Sequence, residues 1–262
     1  MRPTRLLLTA ALLLVPALAR AQGEQQQLVD RATLAAQEIL NNRDGTDAQA
    51  VLRRARAVMI CPQIFRAGFL LGGQGGSCVL VARDGAGSWS SPAFYGLGGG
   101  SIGFQAGIQD AQVMLFIMND KGLIAVMDSQ FKLGADASAT FVDMGGGIEG
   151  STTAALRADI VGFTRARGLF AGVSLGGSLM SSKSDWNQAY YGRPVGPQQV
   201  VVSMEASNPA ADPLREILGR FSAATPAAPP AMPAPVPMGA TQSPGPIPPR
   251  AIQQQSLPPP RR

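Results

Sequence analysis

Histidine is absent from the sequence, and cysteine occurs only twice, at Cys61 and Cys78. Without histidine the chain lacks the commonest general base, the usual partner of a Ser or Cys nucleophile and the commonest metal ligand. Two cysteines are also too few to form a zinc site by themselves. Asp128, Asp136 and Asp143 lie close in sequence, but nothing near them marks a nucleophile. We therefore expect a protein that is not an enzyme and that holds no metal or cofactor.

Long apolar runs are also missing, apart from the one near the start of the chain. Arg2 and Arg5 precede apolar residues 6–18, and Ala19-Arg20-Ala21 has the small-x-small pattern of a signal-peptidase site. The run is too short for a bilayer core, which needs about 20 apolar residues. These features predict a signal peptide at residues 1–21 and export to the periplasm or envelope as a soluble or peripheral protein. An uncleaved anchor is the alternative.

The excess of positive charge belongs to the two ends of the chain rather than to its middle. The formal net charge is +5 and the pI is ≈ 9.8, values that usually point to nucleic acid or membrane as a partner. Six of the 22 Lys and Arg residues lie in the predicted signal peptide or after residue 223, whereas all 17 Asp and Glu lie between. The middle of the chain is therefore close to neutral, and we expect no nucleic-acid binding.

The two cysteines admit two interpretations. In an oxidising compartment Cys61 and Cys78 can form a disulfide, and their spacing suits neighbouring strands of a hairpin. Alternatively, both are small apolar residues of the core. The sequence does not give the Cα separation that a bridge requires, so both interpretations stay open.

The order of local patterns predicts one α+β domain over residues 22–223. Apolar residues at helical spacing predict a helix over residues 22–43, and Thr46 can cap a second helix. From Gly68 the chain is glycine-rich, with short apolar stretches separated by turn residues, which is typical of short strands with bends or bulges. We expect a mainly antiparallel β barrel or sandwich, packed with N-terminal helices and short flanking helices.

The last part of the chain combines short elements with a low-complexity tail. The patterns predict short helices over residues 121–127 and 185–191, a last strand over residues 198–204, and a final helix opened by Asp212-Pro213. In residues 224–262, which hold 13 of the 21 prolines, apolar burial cannot offset the entropy of ordering. We expect a disordered tail there, which can serve as a spacer or dock an envelope protein.

One glycine-rich stretch imitates a nucleotide-binding motif. Residues 98–103 formally match G-x-G-x-x-G, with Asp120 about 20 residues further on. However, no apolar strand leads into the motif, and the residues that follow have a strand pattern rather than a helix pattern. We therefore expect no nucleotide binding.

Six short motifs, in order and with matching spacing, resemble the SYLF domain family, in its bacterial exported branch. They extend over nearly the whole folded region, from about residue 28 to residue 203. The motifs are Ala67-Gly68-Phe69-Leu70-Leu71-Gly72-Gly73, Ser88-Trp89-Ser90-Ser91-Pro92, Gly103-Phe104-Gln105-Ala106-Gly107, Leu133-Gly134-Ala135-Asp136-Ala137-Ser138, Gly168-Leu169-Phe170-Ala171-Gly172-Val173-Ser174-Leu175 and Trp186-Asn187-Gln188-Ala189-Tyr190-Tyr191-Gly192.

The resemblance implies a lipid-binding domain without enzymatic activity. Eukaryotic relatives bind phosphoinositides and other anionic lipids, and some bind actin; bacterial relatives are exported, so only lipid binding is expected to apply here. In some relatives a helix ahead of the core inserts into the membrane. The matching residues 24–43 lack aromatics and present mainly alanine, so we expect this helix to pack on the core. The chain departs from the family pattern at residues 144–147 and at Gly176.

Binding of anionic lipid requires Lys or Arg beside exposed aromatic side chains. The leading hypothesis is phospholipid binding in the bacterial envelope; the alternative is a structural or protein-interaction module. The basic candidates can equally be solvated surface, and Trp89 and Trp186 are expected in the core. The predicted lipid-binding residues are Arg53, Arg54, Arg56, Arg66, Phe94, Tyr95, Arg165 and Arg167.

Overall fold

A computed structural model describes residues 4–41, 46–128, 130–144, 158–168 and 178–223. The chain divides into the unit Met1–Ala224, treated below, and the unit Thr225–Arg262, which lies outside the described residues together with the predicted tail. Most of the family-like motif at residues 168–175 also lies outside them. Within the described part, no helix is both long enough and apolar enough to cross a membrane.

Helices and strands both contribute substantially, so the predicted α+β class is confirmed. The predicted signal-peptide cleavage site falls inside the first helix, and the cleavage stays a prediction. The elements in chain order are α1 Thr4–Asn41, α2 Thr46–Arg54, β1 Ala57–Ala82, β2 Ala93–Ile117, α3 Asp120–Met127, β3 Gln130–Lys132, β4 Ala139–Asp143, β5 Ile160–Gly168, β6 Leu179–Ser182, α4 Ser184–Tyr191, α5 Pro197–Val201, a 3₁₀ turn Pro209–Ala211 and α6 Asp212–Ser222.

The long β1–β2 ribbon is the main element of the sheet, and it replaces the short strands expected from the sequence. β1 and β2 pair antiparallel from Ala57↔Ile117 to Leu80↔Ala93. Pro62 lies inside β1, in a register shift between Cys61 and Ile64, where its missing N–H costs no ladder bond. The glycine-rich middle bends instead of turning, so the ribbon folds back on itself.

The fold-back of the ribbon brings two parts of β1 side by side. A disulfide joins Cys61 to Cys78, with the Cα atoms 4.2 Å apart. The cysteines therefore lie in two arms of one strand rather than in the two strands of a hairpin. β1 and β2 each occupy two positions in a curled half-barrel, in the order β4–β5–β2–β1–β1–β2–β6–β3. The pairing of β4 with β5 is parallel, and the other strand pairings described are antiparallel.

The two arms of β1 approach each other closely at Gly76. A Cβ atom at Gly76 would lie 2.5 Å from the backbone oxygen of Gln63, whereas at Gly75 it would lie 3.6 Å from the oxygen of Leu97. We predict that Gly76→Ala lowers the free energy of unfolding by about 2 kcal/mol, the range of overpacking costs, because backbone must move. Urea unfolding followed by circular dichroism measures the change.

Gly75→Ala is the matched control for that variant, since it adds the same methyl group one residue away. Its Cβ makes an ordinary van der Waals contact, so we expect a change within about 0.5 kcal/mol. Equal losses in the two variants would show that the arms are not in close contact at Gly76.

The two faces of the sheet bury separate cores because side chains alternate along each strand. One core packs α1, α2 and α6 against residues such as Ile60, Phe94 and Phe116. The other lies between residues such as Tyr95 and Leu115 and the helices α3 and α5. The apolar stripe of α1, from Leu28 to Ile39, is fully buried, which agrees with the prediction that this helix packs on the core.

The strand predicted over residues 198–204 is wrong: residues 197–201 form helix α5. Pro197 occupies the first helical turn, where its missing N–H is tolerated. The N–H of Gly196 donates to Oε1 of Gln199 at 2.9 Å, which closes the helix start. Val200 and Val201 are both buried, a pattern that alternation along a half-buried strand would not produce.

Candidate functional site

The basic residues predicted to bind lipid fall into two groups at different places in the fold. Arg53, Arg54 and Arg56 lie where α2 leads into β1, and the N–H of Arg56 donates to the oxygen of Ile117 at the open end of the ribbon. Arg66 lies ten residues further along β1, about 33 Å of extended strand. The predicted residues therefore do not form one continuous basic surface.

Arg66 also lies on a different face of the sheet from its neighbour Phe65. Ile64 is buried in the core that includes the disulfide, and alternation places Phe65 on the opposite face and Arg66 on the face of Ile64. Arg66 pairs in register with Gln109, which is 2% exposed. Arg66 therefore does not share the face of Phe65, and its predicted role in lipid binding stays a prediction.

Phe94 and Tyr95, two of the residues predicted to bind lipid, lie in the core rather than at the surface. Both are fully buried. The ring of Phe94 stands edge-on to Trp186 and Tyr190, with centroids 6.0 and 5.0 Å away. Burial raises the pKa of the Tyr95 hydroxyl well above its usual range. Trp89 is 3% exposed, which agrees with its expected place in the core.

A different surface combines exposed apolar and basic side chains. We call it the α1–β1 surface and define it by five residues. Two of them are large apolar side chains left in solvent: Leu34 is 60% exposed and Phe65 is 49% exposed. The other three are basic. The surface consists of Arg31, Leu34, Phe65, Arg165 and Lys183.

The residues of the α1–β1 surface are connected through a shallow pocket and a series of contacts. Arg31 and Phe65 line the same pocket of ≈ 210 Å³, together with Gln63 and the Gly75–Ser77 arm of β1. Leu34 lies one helical turn from Arg31 and one turn from Glu38, which bonds to Arg165. Leu34 is therefore placed between the pocket and β5.

Three basic side chains, Arg31, Arg165 and Lys183, carry the positive charge of this surface. Arg31 is exposed and makes no ion pair within the described residues. The Nη1 of Arg165 lies 3.0 Å from Oε2 of Glu38. The Nζ of Lys183 donates to Oγ of Ser77 at 3.0 Å and lies 3.7 Å from the ring centroid of Trp186. Glu38 and Asp110 are among the neighbouring carboxylates, and Asp30 and Asp185 follow close by in sequence to Arg31 and Lys183.

The backbone register adds one predicted residue to this side of the sheet. Phe65 pairs with Asp110, and Asp110 pairs on its other side with Arg167. Cross-strand partners occupy the same face of a sheet. By backbone register, position 167 is thus in line with Phe65, and Arg165 lies two residues before it on β5.

Sequence reasoning missed Arg31, Leu34, Phe65 and Lys183. For Leu34 a signal existed, since this leucine falls off the helical stripe formed by Leu28, Ala32, Ala35 and Ile39. No local signal identifies Phe65, because its face depends on the register shift at Pro62. Within the described residues, no group of three or more Cys, Asp or Glu is arranged to hold a metal ion.

Residues 98–221 match a protein-family model described as Ysc84: Las17-binding protein actin regulator. This chain belongs to the SYLF (Ysc84) family. The family predicted from the six motifs is therefore confirmed, and it is a family of binding and regulatory domains rather than of catalysts.

Relatives of this SYLF chain include longer eukaryotic proteins. The human SH3 domain-containing YSC84-like protein 1 is 28% identical over 187 residues, 70% of this chain and 54% of that protein. SH3 domain-containing protein PJ696.02 of Schizosaccharomyces pombe is 31% identical over 192 residues, 72% of this chain and 43% of its own length. Protein YSC84 of Saccharomyces cerevisiae is 31% identical over 173 residues, 64% and 36% respectively.

The chain spans about half the length, or less, of these curated relatives. The binding partners of the full-length relatives therefore cannot be assigned directly to this chain. No solved structure matches it.

Proposed function

We propose that this SYLF domain binds anionic phospholipid through the α1–β1 surface, and that it does so as an exported, non-enzymatic protein of the bacterial envelope. The observation that carries the proposal is the placement of Phe65 and Leu34, both about half exposed, among Arg31, Arg165 and Lys183. Export rests on the apolar leader and its cleavage motif.

The chemistry of the α1–β1 surface suits a headgroup region. A basic side chain near an anionic membrane contributes about 1 kcal/mol, which weakens with salt. Exposed apolar side chains add about 25 cal/mol for each Å² that leaves water. One basic or one apolar side chain does not hold a protein on a membrane, but a few of each together do. The expected binding is therefore peripheral, reversible and salt-dependent.

Liposome co-sedimentation of the chain from Gln22 onward tests the proposal. We expect pelleting with vesicles of phosphatidylcholine and phosphatidylglycerol, none with phosphatidylcholine alone, and weaker pelleting as salt rises from about 0.05 to about 0.3 M. Arg31→Ala is expected to weaken binding roughly fivefold. The double variant Leu34→Ser/Phe65→Ser is expected to weaken it further, because it removes the apolar contacts.

The control variants make the same kinds of substitution at exposed positions elsewhere in the chain. Ile124→Ser/Val202→Ser removes two other exposed apolar side chains, and Arg53→Ala removes another exposed arginine. We expect wild-type pelleting from both. Equal weakening by test and control variants would remove the case for this surface, and no pelleting of wild type would refute lipid-surface binding altogether.

A protein partner is the second candidate function. The family description names Las17-binding proteins that regulate actin, and LAS seventeen-binding protein 3 is among the relatives, at 32% identity over 173 residues. Two exposed apolar side chains outside the α1–β1 surface, Ile124 and Val202, favour this candidate.

A further inference from the structure

The shallow pocket of the α1–β1 surface combines three parts of the chain, and we call it the Arg31 pocket. Arg31 comes from α1, Phe65 from one arm of β1, and Gly75, Gly76 and Ser77 from the other arm. The two glycines add no side chains to it. Among the described residues that line the pocket, Arg31 is the only charged one. The lining therefore carries a positive charge beside a half-exposed aromatic ring.

A lysine from a distant part of the sequence contacts Ser77 in this pocket. The Nζ of Lys183 donates to Oγ of Ser77 at 3.0 Å. Gly96 lies between them in the sheet, since it pairs with Ser77 on β1 and with Ser181 on β6. A Cβ atom at Gly96 would lie 3.4 Å from Cε of Lys183. The lysine side chain therefore crosses β2 over a glycine to reach Ser77.

Lys183 is itself held by three contacts. Its backbone N–H donates to the oxygen of Phe94 at 2.9 Å. Its ammonium group lies 3.7 Å from the ring centroid of Trp186, which is a cation–π contact, and it also makes the bond to Ser77. A side chain held in this way loses little further freedom when a ligand binds. The positive charge of Lys183 is thus fixed beside the Arg31 pocket.

The bond from Lys183 decides how the Ser77 hydroxyl can act. An ammonium group has three N–H donors and no acceptor, so Oγ of Ser77 must be the acceptor in this bond. The hydroxyl proton of Ser77 is then left to donate, and no acceptor for it lies among the described residues. A serine that is fixed as a donor beside positive charge favours a ligand oxygen that carries negative charge.

The carboxylates near the pocket are bonded to other groups. Oδ2 of Asp110 accepts from Nε2 of Gln63 at 3.2 Å, and Oδ1 of Asp30 accepts from Nε2 of Gln26 at 2.8 Å. Neither carboxylate lines the pocket. Within the described part of the chain, no carboxylate is bonded to Arg31 or to the other two donors. An anionic ligand would therefore not have to displace an ion pair.

We propose that the Arg31 pocket binds the phosphate group of a phospholipid headgroup that carries no cation, and that Ser77 determines this specificity. Arg31 and Lys183 supply positive charge, and Ser77 supplies a directed hydrogen bond. Donors from three parts of the fold suit a tetrahedral phosphate better than a planar carboxylate. An ammonium or choline group next to the phosphate would meet two like charges. The inference rests on the proposed function, because this pocket is part of the proposed lipid surface.

Vesicles of matched charge test the specificity. Phosphatidylglycerol and phosphatidylserine each carry a single net negative charge, but the serine headgroup also holds an ammonium group. Co-sedimentation of the chain from Gln22 onward is compared on phosphatidylcholine vesicles that contain equal mole fractions of one or the other. We expect wild type to bind the phosphatidylglycerol vesicles about threefold more tightly. Ser77→Ala should bind the two alike, whereas Ser77→Thr, which keeps the hydroxyl, should keep the preference.

Ser203→Ala is the matched control, because Ser203 is an exposed serine that follows α5 and does not line the pocket. We expect it to show the wild-type preference. Equal binding of wild type to the two kinds of vesicle, or an unchanged preference in Ser77→Ala, would overturn the specificity while the proposed function still stands.

A soluble ligand separates failure of this inference from failure of the proposed function. Glycerol phosphate, with glycerol as the neutral control, is added to isotopically labelled protein, and the amide resonances of Gly75, Gly76 and Ser77 are followed by NMR. We expect these resonances to shift with glycerol phosphate only, and less in Ser77→Ala. Such shifts without any pelleting would refute the phospholipid as the source of the phosphate. Neither shifts nor pelleting would refute both the pocket and the proposed function.

Discussion

Replacing Cys61 and Cys78 together by alanine is expected to lower the free energy of unfolding by about 3 kcal/mol. The bridge closes a segment of sequence separation 17, and in the chain-entropy model a loop of that size accounts for a loss of this magnitude. The disulfide joins the two arms of β1, so it restricts the unfolded chain at the point where the ribbon must fold back. Urea unfolding of wild type and variant under oxidising conditions measures the difference.

Wild-type protein unfolded in the presence of a thiol reductant is the control, because it loses the bridge but keeps both sulfur atoms. We expect its stability to approach that of the variant. Both cysteines are fully buried, so reduction should require unfolding first. Rapid alkylation of both thiols in the folded, oxidised protein would show that no bridge is present, and the expected loss would then not occur.

Local signals were sufficient for most helices. Asn119 caps α3, with the N–H of Gly122 donating to its Oδ1 at 2.8 Å, and Asp212-Pro213 begins α6 as predicted. Such caps act within three or four residues, so the information that specifies them is contiguous in the chain. The stripe that buries α1 is likewise readable, because helical periodicity repeats over several turns.

The ribbon could not be predicted because its shape depends on distant pairing. The glycines of residues 68–76 are compatible with a turn between two short strands and with a bend in one long strand. Two features of the fold select the bend: the pairing of β1 with β2, about 30 residues later, and the contact of Gly76 with Gln63. The Val-rich run at α5 was equally ambiguous, since short apolar runs suit both helix and strand.

The residues of the candidate site were hard to predict for a similar reason: the strand face on which a side chain lies depends on strand register. Arg53, Arg54 and Arg56 are the densest basic group in the sequence, but the fold places them where α2 leads into β1 rather than in the row of Phe65. A shift of one residue in register exchanges the two faces of a strand. Whether Phe65 or Arg66 lies beside α1 therefore depends on the bulge at Pro62, which no local pattern reveals.

Asp159 is expected to make folding strongly pH-dependent. Its carboxylate is nearly buried and accepts hydrogen bonds from Nδ2 of Asn119 at 2.8 Å and from Oγ and the N–H of Ser138 at 2.8 and 3.0 Å; the Nζ of Lys121 adds an ion pair at 3.3 Å. The hydrogen bond from Asn119, followed by those from Ser138, holds the pKa of this carboxyl far below its usual range. These bonds join the start of α3 to the β3–β4 connection and to β5.

The sign of the pH dependence follows from that lowered pKa. A carboxyl group whose pKa is lower in the folded state stabilises the protein above its unfolded pKa, about 3.9, and loses that contribution as the pH falls further. Asp159→Asn keeps the shape of the side chain but removes the charge and one acceptor. We expect it to cost about 3 kcal/mol at pH 7, because buried donors lose their partner. The difference from wild type should shrink as the pH falls below about 4.

Urea unfolding of wild type, Asp159→Asn and Asp128→Asn at neutral and acidic pH tests this expectation. Asp128 is an exposed carboxylate directly after α3, so its replacement should change stability by less than about 0.5 kcal/mol at either pH. Parallel profiles for Asp159→Asn and wild type would show that the Asp159 carboxylate does not contribute to the acid sensitivity.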